Sequence, residues 1–269
     1  MPFRSTNVLR AFGFALVALS IGAHPAAAQF TPTVDGTIPN GSNNQDEYVT
    51  AAPRADNVGD GTAPEAERIL FYADDANQTL YVGVRGALPT DSDDGIALWL
   101  NFQELDGAAA GTDLSVPGAS HYMNNSFKAD FEVDYTISMT SDRTLSDVRA
   151  GVLKHVGTTA SQGLGTTDQS GSPITVDFFS SGSDVTWAFD NSGTGNDQGF
   201  EIAIPYSALG VSRAGAMEAF AGVVTSDGDF SSETVPGDLG GVDAGTNPDF
   251  GALSGGPFHR TKTFTARFT

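Results

Sequence analysis

The sequence predicts an all-β protein: a single-domain antiparallel β-sandwich of about ten strands, in a jelly-roll or immunoglobulin-like layout, with one short helical turn. Three observations predict it. Apolar residues recur with a period of two in segment after segment. Clusters of Gly, Asp, Asn and Ser separate these segments at short intervals, the spacing of sandwiches and barrels. One stretch alone, GFEIAIPYSALGV (199–211), changes from a strand rhythm to a turn of helix.

The first 28 residues are set apart from that domain. Arg4 and Arg10 form a basic lead, and residues 11–23 are an apolar run shorter than the roughly 20 residues a bilayer span requires. Ala26-Ala27-Ala28 before Gln29 is a small-residue cleavage site. The expectation is a secretory signal peptide over 1–28 and a sandwich domain over 29–269, placing the protein in the periplasm or outside the cell. No other segment has the apolar length for membrane insertion.

After a polar entry (29–66), ERILFYADDANQTLYVGVRG (67–86) reads as two strands joined through Asp74-Asp75-Ala76-Asn77. GIALWLNF (95–102) puts Ile96, Leu98, Leu100 and Phe102 on one face. In FEVDYTISMTSD (131–142), Phe131, Val133, Tyr135, Ile137 and Met139 alternate with polar residues. Further strands are read at 147–156, 174–179, 185–190, 200–205, 218–227 and 261–269. Stretches 103–126, 157–173 and 228–257 are poor in core residues and read as long loops. In the opening motif Pro205 ends a strand, Ser207 is placed to cap a helical turn carrying Ala208 and Leu209, and Gly210 ends it.

Composition narrows the function classes. There are 33 acidic against 13 basic residues, only three of them Lys, and the formal charge is −20. A phosphate backbone would be repelled, which sets nucleic acid aside. Without cysteine the chain has neither disulfides nor thiolate metal sites. Such a surface suits high salt or oxygen-lined Ca²⁺ loops.

The order of short motifs carries a resemblance. Val34-Asp35-Gly36 is followed by Asp46-Glu47-Tyr48, then Leu80-Tyr81-Val82-Gly83-Val84, Asp94-Gly95-Ile96-Ala97-Leu98, and Gly199 to Pro205 with Leu209-Gly210. Across most of residues 33–226 this resembles the family 9 carbohydrate-binding modules and their DOMON-like relatives, secreted β-sandwiches that bind sugars or haem. The resemblance implies that the segment around Pro205 is architectural, with Leu209 plugging one end of the sandwich and Glu201 facing solvent or paired locally. It also implies a sugar clamp of two tryptophans. Trp187, however, shares parity with Val185 and Phe189 and is expected in the core, which leaves Trp99.

Strand alternation sets Trp99 opposite Ile96, Leu98 and Leu100, where an exposed indole could stack on a sugar ring. The expected glycan site is Trp99 and Asn101, joined by Tyr122, Asn124 and Asn125 of the adjacent loop. The competing expectation is that both faces of this strand are covered. Asp91, Asp93 and Asp94 in DSDDG, with Asp227 and Asp229 in DGD, are the candidate Ca²⁺ ligands. Asp190, Ser192, Thr194, Gly195 and Glu201 match EF-hand offsets, but between strands and without charge at positions three and five, so the match is read as coincidence. His121, His155 and His259 lack metal-type spacing, and no GxSxG, HExxH or phosphate loop occurs. The chain therefore reads as a secreted, non-catalytic carbohydrate-binding module, Ca²⁺-assisted. The alternative is a structural or surface-matrix sandwich without a small ligand. A haem protein using His121-Tyr122-Met123 comes third.

If the leader is removed as its pattern implies, N-terminal sequencing of the native exported protein will read from Gln29. A Met1 or Pro2 start on that material would overturn the assignment.

Overall fold

The computed structural model describes residues 31–38, 49–53, 65–88, 94–115, 127–141, 147–191, 198–212, 215–225, 229–235, 245–246, 248–250 and 262–265. Its strands are β1 (Val49–Pro53), β2 (Glu65–Asp74), β3 (Thr79–Ala87), β4 (Gly95–Phe102), β5 (Tyr135–Ser141), β6 (Asp147–Lys154), β7 (Ala160–Asp168), β8 (Ile174–Phe178), β9 (Ser180–Asp190), β10 (Gly199–Pro205), β11 (Ala216–Val224), β12 (Asp229–Val235), β13 (Gly245–Thr246) and β14 (Lys262–Thr265). One helical turn, α1 (Tyr206–Leu209), interrupts them. One sheet has the order β1-β2-β3-β10-β9-β8; the other runs β13-β12-β11-β4-β5-β6-β7, with β14 also on β11. The paired strands are antiparallel in both, so the chain is an all-β sandwich. No helix among the described residues is long and apolar enough to cross a membrane.

The two sheets share one apolar core. Leu80, Val82 and Val84 of β3 and Ile202 and Ile204 of β10 belong to the same buried cluster as Ile96, Leu98 and Leu100 of β4. The two-residue rhythm of each strand delivers these side chains to the inner face. Trp187 lies in this core as expected, and its Nε1–H donates to the Leu164 carbonyl at 2.7 Å.

Three strands arise where the sequence reads as loop: β7 at 160–168, β12 at 229–235 and the two-residue β13. β7 and β12 are rich in Gly, Ser or Thr and flank more apolar strands. Their pairing with β6 and β11 supplies the backbone hydrogen bonds that their side chains do not advertise. The run at 131–142 is also divided: β5 begins only at Tyr135, while Phe131 and Val133 belong to a second apolar cluster on the outer side of the sheet.

α1 closes one end of the sandwich with the buried side chains of Tyr206 and Leu209. Tyr206 N–H donates to the Gln78 carbonyl at 2.8 Å and its hydroxyl donates to Asp75 Oδ1 at 2.8 Å, which ties the turn to the β2–β3 hairpin. From the opposite sheet, the Tyr135 hydroxyl donates to the Leu209 carbonyl at 2.7 Å. Gly210, at φ 80°, ends the turn in the left-handed conformation that lacks a Cβ penalty. Ser207 does not cap it: Pro205 holds the N-cap position without a side-chain bond, and Ser207 is an exposed helical residue.

Glu201 departs most from expectation. Alternation puts it on the outer face of β10, yet it is 0% exposed. Its Oε2 accepts the backbone N–H of Asp35 at 2.9 Å and of Gly36 at 2.6 Å, so the N-terminal segment lies across the six-stranded sheet. Thr37 bridges Gln198, and Ile38 packs with Leu70 beyond it. Gly36 is required by this approach. Its φ is +71°, and a Cβ would fall 2.3 Å from the Asp190 nitrogen.

Replacing Glu201 by Gln keeps the shape but removes the charge from two charge-assisted bonds. Urea unfolding should show a loss of about 1–3 kcal/mol. Ile204→Ala, a large-to-small change at a fully buried core position, should lose about 2–5 kcal/mol in the same assay.

Candidate functional site

The outer face of the larger sheet has an aromatic half and a polar half. On β4 and β11, the cross-strand neighbours Trp99 and Phe220 point away from the shared core. Segments 108–114 and 127–133 lie over them, joined by the bridges Ala108–Val133 and Asp113–Lys128 and by Leu114 N–H donating to the Phe127 carbonyl at 2.9 Å. Trp99 is therefore 3% exposed. Its ring stacks on Phe127 with centroids 4.3 Å apart, and Phe220 and Phe230 lie at 5.4 and 5.5 Å.

The expectation of an exposed indole is corrected by this packing: Trp99 is a core residue of a second apolar cluster, and truncating it removes roughly the 3–5 kcal/mol of a buried Trp. Asn101 is half-buried and its Nδ2 donates to Glu218 Oε2 at 2.8 Å, so its amide is engaged across β4 and β11. Tyr122, Asn124 and Asn125 lie outside the described residues, as do His121 and Met123.

Of the acidic residues singled out for Ca²⁺, Asp91, Asp93 and Asp227 also lie outside the described residues. Asp94 and Asp229 are half-buried and enter the same end of the sheet, because Gly95 pairs with Val224 and Val224 with Phe230. That row places β11 between them, roughly 10 Å from strand to strand, too far for one ion to join the two backbones. Among the described residues no group of three or more His, Asp or Glu side chains is placed to hold a metal. Glu201 of the EF-hand-like spacing is turned to Asp35 and Gly36.

The polar half carries a trough of about 290 Å³ that opens to solvent. Two cross-strand rows build it. Ser138 of β5 lies opposite Gly151 of β6, which lies opposite Gly163 of β7; one step along, Thr140, Arg149 and Thr166 form the second row. Ala150 and Gly165 complete the lining. A register shift between Ala150 and Gly151 lets β7 bulge here, with Gly165 at φ +91°.

Gly163 differs from its neighbours in what surrounds it. A Cβ there would meet nothing within 4 Å, and its φ is not in the left-handed region. Neither packing nor backbone conformation calls for glycine at this position, although glycine in a strand costs roughly 0.5–1 kcal/mol relative to alanine. Its effect is to deepen the trough. The glycines and hydroxyls of QGLGTT (162–167) have the composition of a loop, and only their pairing on β6 makes them a surface.

A buried polar pair lies beside the trough. Asp134, 0% exposed, accepts the Phe102 N–H through Oδ2 at 2.5 Å, while its Oδ1 has no hydrogen-bond partner. Burial, only partly offset by the Phe102 bond and reinforced by Glu132 and Asp106, pushes its carboxyl up to about 7. Burial pushes His155 down to about 4, and its Nε2 lies 3.0 Å from Thr136 Oγ1.

Set against family models, curated proteins and solved structures, the chain matches none of them.

The two buried groups have opposite pH signatures. The folded state holds the Asp134 proton more tightly than the unfolded chain. Its contribution is complete below about pH 4 and is lost as pH rises towards 7. The unfolded chain protonates His155 first, so stability falls as pH drops from about 6.5 to about 4. Thermal melts should show Asp134→Asn stabilising at pH 8, on the order of 2 kcal/mol, and making little difference at pH 4. His155→Gln should flatten the acid-side fall.

Proposed function

We propose that this protein is a secreted, non-catalytic binding module that takes a carbohydrate into the trough on β5, β6 and β7. The observation that supports this reading is Gly163: a glycine that neither packing nor φ requires, set under open space in a strand. Strand glycines commonly mark bulges or places where a ligand comes close. The floor of Gly151 and Gly163 lets a ring approach the backbone, and the hydroxyls of Ser138, Thr140 and Thr166 supply donors and acceptors for sugar hydroxyls. The volume suits one or two sugar units. The leader pattern and the motif order that resembles family 9 carbohydrate-binding modules point the same way. Ca²⁺ in this reading is taken separately by the acidic stretches DSDDG (91–95) and DGD (227–229).

A second reading is favoured by the closure of the aromatic half. With Trp99 sealed under Phe127, the protein is a structural or surface-matrix sandwich whose outer faces serve packing alone.

Gly163→Val separates the two. A β-branched side chain suits a strand, so the variant should melt at or above the parent temperature while its side chain fills the trough. Glycan-array screening followed by calorimetric titration should find a parent affinity on the order of 10–1000 µM, or about 4–7 kcal/mol. The variant should bind at least tenfold more weakly. A parent that binds no glycan would leave the structural reading standing. Millimolar Ca²⁺ should raise the melting temperature beyond the effect of Mg²⁺ at equal ionic strength.

A further inference from the structure

We propose that segment 106–114 is a pH-operated cover over the Trp99 cluster, latched at Gly107 by the buried carboxyl of Asp134. This cover is separate from the trough and from any glycan taken there.

The latch is built from three carboxyl groups around one peptide. Gly107 N–H donates to Glu132 Oε1 at 2.8 Å, and the exposed Asp106 precedes it. A Cβ on Gly107 would fall 2.5 Å from Asp134 Oδ1 and 2.4 Å from the Val133 carbonyl oxygen, so only glycine lets the cover come this close. Asp134 is 0% exposed; its Oδ2 accepts the Phe102 N–H, while Oδ1 has no hydrogen-bond partner. A charge there would be packed against the cover with no donor to receive it on Oδ1. Buried charge of that kind is costly, so the closed arrangement favours a carboxyl that keeps its proton.

Beyond Gly107 the cover is zipped to segment 127–133. Ala108 and Val133 exchange both backbone bonds at 2.9 Å, Gly111 N–H donates to the Ala129 carbonyl at 2.8 Å, and Leu114 N–H donates to the Phe127 carbonyl at 2.9 Å. Phe127 in turn stacks on Trp99, and Leu114 belongs to the same apolar cluster. The Ala108–Val133 pair adjoins both Gly107 and Asp134, so it is the first to part when the latch opens.

Glu132 on its own segment and Asp106 on the cover face the Asp134 carboxyl, and both oppose its ionisation; the Phe102 amide acts the other way. Tyr135 beside it is neutral, pushed up to about 12, with its hydroxyl on the Leu209 carbonyl. On β6 the His155 imidazole turns to Thr136 and is uncharged above about pH 4, and Lys154 stands opposite Tyr135, whose ring belongs to the shared core. Glu218 of β11 is engaged by Asn101 of β4. In the closed form the Asp134 carboxyl ionises at about 7, whereas an aspartate in water ionises at about 4. The closed form holds the proton more tightly across that interval. The cover therefore loosens progressively as pH rises from about 4 to about 7, and changes little beyond.

The test is amide hydrogen exchange of the protein between about pH 5 and pH 8, expressed as protection factors so that the base catalysis of exchange divides out. Protection of the Gly107, Ala108, Gly111 and Leu114 amides should fall about tenfold or more by about pH 7.5 and then level. Amides of β3 and β10 should stay at least about tenfold better protected throughout, which marks the opening as local. Asp134→Asn, which cannot ionise, should abolish the pH response. Asp106→Asn, a change at an exposed position that leaves the buried carboxyl in place, should reduce opening at about pH 7.5 about two- to threefold. Protection that is flat with pH, exchange of the cover at the same level as β3 and β10, or a pH response that survives Asp134→Asn would overturn the proposal.

Discussion

The carboxylate of Glu201 is buried on a central strand of the six-stranded sheet, where an unpaired charge would cost several kcal/mol. The amides of Asp35 and Gly36 receive it, and that requirement fixes the path of the N-terminal segment over the sheet. Several features follow from this contact. Gly36 must lack a Cβ to come this close to β9, Thr37 reaches the edge of β10 at Gln198, and Ile38 seals the apolar gap at Leu70. A strand whose outer residue would otherwise be wet becomes the middle of a three-layered arrangement.

The larger sheet meets the same problem with different chemistry. Its outer face presents Trp99 and Phe220 beside Thr136, Ser138 and Thr140, so one half is apolar and the other is not. Aromatic side chains from 127–133, from β12 and from Phe250 cover the apolar half because leaving Trp99 in water would forfeit its burial. The polar half gains nothing from such a cover. Its hydroxyls can hydrogen-bond to water, and its glycines hold the strand surface low. The division of the sheet by side-chain character is thus what leaves a concave surface on β5, β6 and β7 while β4 and β11 are closed.

The electrostatics follow the same division. Asp134 and His155 sit where β5 begins and β6 ends, at the inner border of the polar half, linked by the His155 N–H donating to the Asp134 carbonyl at 2.7 Å. Burial favours the uncharged form of both. Between about pH 4 and 6.5 the folded state holds a proton on the carboxyl and the unfolded chain holds one on the imidazole, so their contributions to the pH dependence of stability oppose one another.

Local pattern is enough to specify the fold class and most of the strands, because a two-residue rhythm bounded by turn residues has few other solutions. β3, β4 and β10, the hairpin at Asp74–Asn77 and the plug after Pro205 are all legible from local pattern. It also indicates the face of Trp99 and Glu201, both of which lie opposite the shared core. What lies over that face is a different question, and packing between segments distant in sequence settles it. Trp99 is sealed by the rings of Phe127 and Phe230, and Glu201 by amides 165 and 166 residues away in sequence, contacts that no local pattern announces. β7 and the trough were hidden for the converse reason. Gly163 and Gly165 have the composition of a loop, and they become part of a strand only because β6 offers them a ladder to complete. Side-chain periodicity records burial against a core, so it is silent wherever a surface is made of backbone.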